Sequence, residues 1–267
     1  MKKIILLLLL LAVNYNSFAV SKEDKERESS YLLQIKNEND SDAMFDLGLL
    51  YDEQEKYDLA EKYYLMAVKY NNGSAMTNLG LIYENQKKYD LAEKYYLMAV
   101  EEESDAGMYN LGLLYDNQKK YTLAEKYYLM AIQNNYSDAM YNLALLYDNQ
   151  EKFSLAEKYY LMAIKENDSD AMYNLALIYD NQKKYPLAEK YYLMAVEPND
   201  SDATFTLALL YDNQKKYNLA EKYYLIAVKD NSTKAMYNLG ILYKIQKKFS
   251  LAEKYYLKAI KNNSSDA

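Results

Sequence analysis

The heptapeptide LAEKYYL is written seven times, opening at Leu59, Leu91, Leu123, Leu155, Leu187, Leu219 and Leu251, at an unbroken spacing of 32 residues. A period of this length marks a stacked-repeat architecture, in which one unit cannot bury its apolar face alone and its neighbours complete the core. It overrides what a length of 267 residues would otherwise say about domain number. What matters is what one unit is, and what surface a stack of them presents.

Take residues 41–72 as the unit. Met44, Leu47, Gly48 and Tyr51 fall at i, i+3, i+4 and i+7, one face of a helix, helix A. After a turn around Lys56 and Tyr57, Ala60, Tyr64, Ala67 and Val68 repeat that spacing on helix B, which the polar run from Tyr70 to Gly73 ends. Between the helices stands the column Asp58, Asp90, Thr122, Ser154, Pro186, Asn218 and Ser250. Six of these seven are N-cap residue types, and a glutamate follows three residues on, as Glu157 follows Ser154. The column therefore predicts a capping box at each helix B, worth about 1 kcal/mol. Pro186 has no capping oxygen, so the fifth unit is predicted to be locally the weakest. Ser41, Ser104, Ser137, Ser169 and Ser201 are predicted to cap helix A.

A small residue recurs on helix A, as Gly48, Gly80, Gly112 and Gly240 or as Ala144, Ala176 and Ala208. It lets two helices approach closely. Helix B adds a second stripe, Leu59, Tyr63 and Met66. Two readings are open for that stripe: a sticky convex surface, or the wide apolar arc of a helix that touches several neighbours in a stack.

With these residues in place, the unit resembles the tetratricopeptide repeat, whose signature runs W-x2-L-G-x2-Y, then A-x3-F and A. Leu47-Gly48, Tyr51, Ala60, Tyr64 and Ala67 occupy the matching places, and the match recurs from about Ser41 to Asn263. Met44 replaces the tryptophan, the proline after helix B is missing, and the unit is shorter than the family's roughly 34 residues. The spacing from Val68 to Ala75 is similar to that of Sel-one-like repeats. The resemblance implies an all-α, right-handed superhelical solenoid of seven 32-residue helix-turn-helix repeats, used as a binding scaffold. We expect a signal peptide at 1–19, an N-terminal half-repeat capping helix at 20–40, and seven tandem repeats over 41–267.

The signal-peptide expectation rests on Lys2 and Lys3, the apolar run from Ile4 to Val13, and Ser17-Phe18-Ala19, which places cleavage after Ala19. The apolar run is too short for a bilayer, which needs about 20 residues, so no membrane association is expected after cleavage. Loss of Lys2 and Lys3 takes the formal charge from −7 to −9, an acidic balance that argues against nucleic acid as a partner. The expected location is the periplasm of a bacterium, or outside it.

The chain contains no histidine and no cysteine. That removes the commonest general base, the thiolate nucleophile and the usual transition-metal ligands, and each carboxylate recurs from unit to unit instead of marking one site. No enzyme activity, cofactor or metal is expected. The run ENDSDA, at 38–43 and again at 166–171, alternates oxygen-bearing side chains but lacks the glycine and distal glutamate of a calcium loop, and reads as an acidic, serine-capped helix start.

The remaining surface of helix A carries four columns. An aromatic column runs Phe45, Tyr109, Tyr141, Tyr173, Phe205 and Tyr237, beside a leucine column from Leu49 to Ile241. An acidic column runs Asp52, Glu84, Asp116, Asp148, Asp180 and Asp212, and an asparagine column Asn78, Asn110, Asn142, Asn174 and Asn238. In the family that the unit resembles, helix A lines the concave groove, and an asparagine in this place often holds the backbone of an extended peptide. A primary amide has both donors and acceptors for that task; the alternative is that these asparagines bond within the helix pair. The implied function is an exported scaffold that binds a protein or an extended peptide, basic or neutral. The alternative is a structural, self-associating envelope spacer. Because the sequence stops at Ala267 with no eighth helix A, two expectations stand: a weak end-to-end homodimer through Leu251, Tyr255 and Tyr256, softened by Lys258 and Lys244, or a chain that is a fragment of a longer array.

Overall fold

The computed structural model describes residues 21–196 and 201–265. Among these, every regular element is an α-helix. The expected signal peptide lies outside the described residues, as does Ala267. The chain divides into two compact units, Met1–Tyr136 and Ser137–Ala267.

In the first unit, α1 (Lys22–Glu38) precedes three pairs: α2 (Ser41–Glu53) with α3 (Tyr57–Val68), α4 (Gly73–Asn85) with α5 (Tyr89–Glu101), and α6 (Asp105–Asn117) with α7 (Tyr121–Gln133). The second unit holds four: α8 (Asp138–Asn149) with α9 (Phe153–Lys165), α10 (Ser169–Asn181) with α11 (Tyr185–Val196), α12 (Ser201–Asn213) with α13 (Tyr217–Lys229), and α14 (Thr233–Ile245) with α15 (Phe249–Ser265). Even-numbered helices are helices A and odd-numbered ones from α3 onward are helices B. Within each unit every helix packs on the next in sequence, the pattern of an all-α repeat solenoid. In the first unit α1 packs on α2, and Tyr51 donates from its hydroxyl to Glu28 of α1 at 2.7 Å.

The core follows the predicted periodicity. Leu47, Leu79 and Leu111 of helix A, and Ala60, Tyr64 and Ala67 of helix B with their counterparts through the sixth repeat, are sealed from solvent, whereas Tyr256 of the seventh is half-buried. The helix-B tyrosine lies against the small residue of its own helix A, so closely that a Cβ on Gly48 would sit 2.6 Å from a ring carbon of Tyr64. The second apolar stripe divides between the two readings: Tyr63 stacks on Tyr51 of its own repeat with centroids 5.6 Å apart, while Leu59 and its counterparts stay partly in solvent.

Two predicted caps are corrected. Helices α3, α5, α7, α9 and α13 begin one residue before the expected cap column, with Lys56, Lys88, Lys120, Lys152 and Lys216 at the N-cap and no side-chain cap bond. Asp58, Asp90, Thr122, Ser154 and Asn218 therefore lie inside the first turn, and the predicted weakness at Pro186 loses its basis. The chain enters helix B directly from a Schellman turn. Lys87 donates to Glu84 and Lys88 to Tyr83, both at 2.8 Å, and Lys87 takes the left-handed conformation at φ 60°. In place of the usual apolar contact across that turn, the Lys88 ammonium lies 5.6 Å from the centre of the Tyr83 ring. The serine caps of helix A are corrected in part: Ser104 caps α6, but Asp40 and Asp168 cap α2 and α10, while Ser41 and Ser169 are the first helical residues, and Ser137 makes no cap bond. Asp40 and Asp168 of the ENDSDA runs are thus helix caps, accepting from the amides of Ala43 and Ala171.

Candidate functional site

Helix A presents its asparagine and acidic columns one turn or more apart, and the structure joins them through a residue of helix B. The buried tyrosine of the first six LAEKYYL segments, its ring lodged over the small residue of helix A, extends its hydroxyl toward the helix-A surface. In the first unit Tyr64 accepts from Asn78 Nδ2 of the next repeat at 3.0 Å, and Tyr96 donates to Glu84 of its own repeat at 2.9 Å. In the second, Tyr224 donates to Asp212 at 3.4 Å. One cell of the surface is therefore a helix-A carboxylate and the buried phenol of its own repeat, bonded at Tyr96 and Tyr224, while at Tyr64 the amide of the following repeat reaches the phenol instead.

The aromatic column closes over the same phenol. Tyr109 packs on Tyr128 at 6.2 Å between centroids, Tyr141 on Tyr160 at 6.1 Å, Tyr173 on Tyr192 at 6.0 Å, and Tyr237 on Tyr256 at 5.8 Å. Tyr109, Tyr141 and Tyr173 are consequently half-buried, whereas Tyr237 stands in solvent. Asparagine amides reach inward as well as outward. Asn142, Asn174 and Asn238 donate from Nδ2 to the carbonyls of Asp138, Asp170 and Lys234 one turn back, and Asn174 also donates to the Tyr141 hydroxyl. Asn110 is half-buried at the corresponding place.

Burial raises the pKa of the Asp116, Asp148 and Asp180 carboxyls above the ordinary range, and it pushes the Tyr64 hydroxyl up to about 12. These carboxylates have no basic neighbour on their own helices: α2, α4, α6, α8, α10 and α12 carry no lysine or arginine. The lysines lie elsewhere, Lys120 and Lys126 for example over the rings of Tyr115 and Tyr127. In the first unit the cell opens into a cleft of about 550 Å³ lined by Asp52, Tyr57, Asn78, Leu81, Ile82, Asn85 and Gln86.

The buried phenol is the part that periodicity does not reveal, because a core position reads alike for phenylalanine and tyrosine. One signal is available. At Tyr57 and its counterparts Phe153 and Phe249 are accepted, whereas Tyr64, Tyr96, Tyr128, Tyr160, Tyr192, Tyr224 and Tyr256 all keep the hydroxyl.

Models described as tetratricopeptide repeat match residues 45–108 and 141–203, 106–136 and 201–229, and 233–266. Among solved structures, c5321, a protective antigen present in uropathogenic Escherichia coli strains and displaying an SLR fold, is similar with a TM-score of 0.68 at 18% identity, over 89% of this chain and 61% of that one. A Sel1 repeat protein from Oxalobacter formigenes is similar with a TM-score of 0.61 at 24% identity, over 81% and 96%. YrrB, described as a TPR protein with an unusual peptide-binding site, gives 0.51 at 21% identity, over 62% and 91%. At these identities the likeness is one of fold. No curated protein sequence matches the chain significantly.

Proposed function

Since the chain belongs to the tetratricopeptide repeat family, whose members bind peptides or proteins in general, we propose that it is an exported scaffold that holds an extended, basic or neutral peptide on its helix-A face. The observation that carries this reading is the arrangement of that face. Carboxylates, amides and half-buried rings recur there with no basic side chain on α2 through α12 of the A series to neutralise them. Hydrogen-bonding side chains that can serve a backbone N–H or C=O supply affinity whatever the peptide's side chains are, and the rings add flat contact with few rotors to freeze. The peptide-binding site named for YrrB supports the same use of a similar fold. Export is proposed from the N-terminal succession at 1–19.

The test is affinity for labelled extended peptides of differing charge, measured at low and high salt. Basic peptides bind most tightly, and added salt weakens them, because exposed charges are screened over about 10 Å at 0.1 M. Changing Asn110, Asn142 and Asn174 together to alanine lowers affinity with helical content retained. Equal binding by the triple variant would mean that the amides serve the fold alone. Recovery of only the chain itself from a periplasmic extract would favour the structural spacer.

A further inference from the structure

Resting on the groove reading above, we propose that each carboxylate–phenol cell is a seat for one cationic side chain, and that the ligand is a polyproline-II segment with lysine or arginine at every third residue. The first support is an incomplete hydrogen-bond set. Tyr96 and Tyr224 donate to their helix-A carboxylates, but the equivalent hydroxyls of Tyr128 and Tyr192, on rings that are 0% exposed, make no hydrogen bond. The negative groups nearest in effect are Asp116 for Tyr128 and Asp180 for Tyr192. A buried hydroxyl without a partner is costly, and it is relieved when an ionised carboxylate turns one oxygen inward to accept from it. The other oxygen then faces outward as a fixed acceptor. A cation placed on that oxygen favours the ionised form that burial disfavours.

The second support is the shape of the cell. Asp52 and Asn78 share the cleft in the first unit with Leu81, whose side chain is 39% exposed. A carboxylate beside an exposed leucine suits a side chain with an apolar stem and a charged head, as lysine and arginine have. The third is spacing. Within a unit successive helices A also touch directly, α2 with α4 and α4 with α6 in the first and α12 with α14 in the second; helices in contact lie about 8–10 Å apart, and a polyproline-II helix rises about 3.1 Å per residue with three residues per turn. One turn of such a ligand therefore spans one cell, and every third side chain points to the same side. A β-extended peptide would turn alternate cations away.

The experiment uses the whole chain and four labelled peptides: repeated Lys-Pro-Pro, a peptide of equal composition with its lysines adjacent, repeated Glu-Pro-Pro, and a neutral extended peptide. The spaced lysine peptide binds about tenfold more tightly than the clustered one, and the glutamate peptide does not bind. Asp116→Asn with Asp180→Asn removes most of that tenfold preference. Tyr128→Phe, which keeps the buried ring and so the fold, reduces affinity for the spaced peptide but not for a neutral extended peptide, as expected of a positioning residue. Equal affinity for spaced and clustered lysines, or a preference that survives the double aspartate change, overturns the cation seats while leaving peptide binding intact. Failure of every peptide, neutral ones included, overturns the groove reading and this inference with it.

Discussion

The hydroxyl of Tyr83 donates to Glu61 Oε1 at 2.6 Å and so ties helix A of the second repeat to helix B of the first. The same bond recurs from Tyr115 to Glu93, Tyr179 to Glu157, Tyr211 to Glu189 and Tyr243 to Glu221. The glutamate of LAEKYYL is therefore a tie between repeats and not the second half of a capping box.

The two roles separate in mutants. Glu93→Ala lowers stability by about 1.5 kcal/mol or more, because the Tyr115 hydroxyl loses a charged acceptor in a part-buried place. Thr122→Ala, at an exposed first-turn position, changes it by less than about 0.5 kcal/mol. Urea midpoints of the two variants and of Tyr115→Phe combined with Glu93→Ala measure this. A larger loss from Thr122→Ala than from Glu93→Ala would restore the capping box.

How far the sequence could be read follows from which interactions are local. Helix positions, the sealed Leu47 and Tyr64 columns and the close approach at Gly48 are consequences of 3.6-residue periodicity and side-chain size, and these were legible. The cap column failed because local residue preference lost to the Schellman turn. Once Lys88 closes that turn on Tyr83, helix B has begun before Asp90 is reached. The groove columns were legible as surface. Their connection through Tyr64, Tyr96 and Tyr224 was not, since it depends on a hydroxyl that crosses from helix B to helix A, at spacings of 12 or 14 residues that no single-helix pattern contains.

The Schellman turns hold a testable strain. Lys119, exposed, sits at φ 59° between α6 and α7, where a side chain costs roughly 1–2 kcal/mol and glycine does not. Glycine brings back some unfolded-state entropy, so Lys119→Gly raises stability by about 0.5–1 kcal/mol. Lys126→Gly, in the body of α7, lowers it by about 1 kcal/mol. Thermal midpoints that fall for both would show the turn to be unstrained.

Either glycine or alanine stands at the contact with the buried phenol, and whether the phenol is tethered decides what a methyl group there does. A Cβ on Gly112 would lie 2.6 Å from Tyr128, whose hydroxyl makes no hydrogen bond, so the ring can give way as it does beside Ala176, where Tyr192 stays fully buried. A Cβ on Gly80 would meet the ring of Tyr96, whose hydroxyl is held by Glu84. Gly112→Ala is therefore neutral within about 1 kcal/mol, helix propensity offsetting the shift, while Gly80→Ala costs about 1–3 kcal/mol. Equal losses at both positions, measured by chemical denaturation, would remove the tether from the explanation.

Alkaline pH reads the buried phenols together. Burial raises the pKa of Tyr64, Tyr96, Tyr128, Tyr160, Tyr192 and Tyr224 above the ordinary value of 10.0, and burial with the hydrogen bond to a glutamate raises Tyr83, Tyr115, Tyr179, Tyr211 and Tyr243. The folded state therefore holds these protons more tightly than the unfolded one. Their contribution is complete below pH 10 and is lost as pH rises toward the folded values, at about 1.4 kcal/mol per pH unit for each proton the unfolded chain releases. With so many groups acting in the same direction, unfolding above pH 10 is steep, and the tyrosinate absorbance of the buried set rises together with the loss of helical circular dichroism. Full ionisation of the tyrosines near pH 10 with helicity unchanged would show that these hydroxyls are open to solvent, contrary to the packing described.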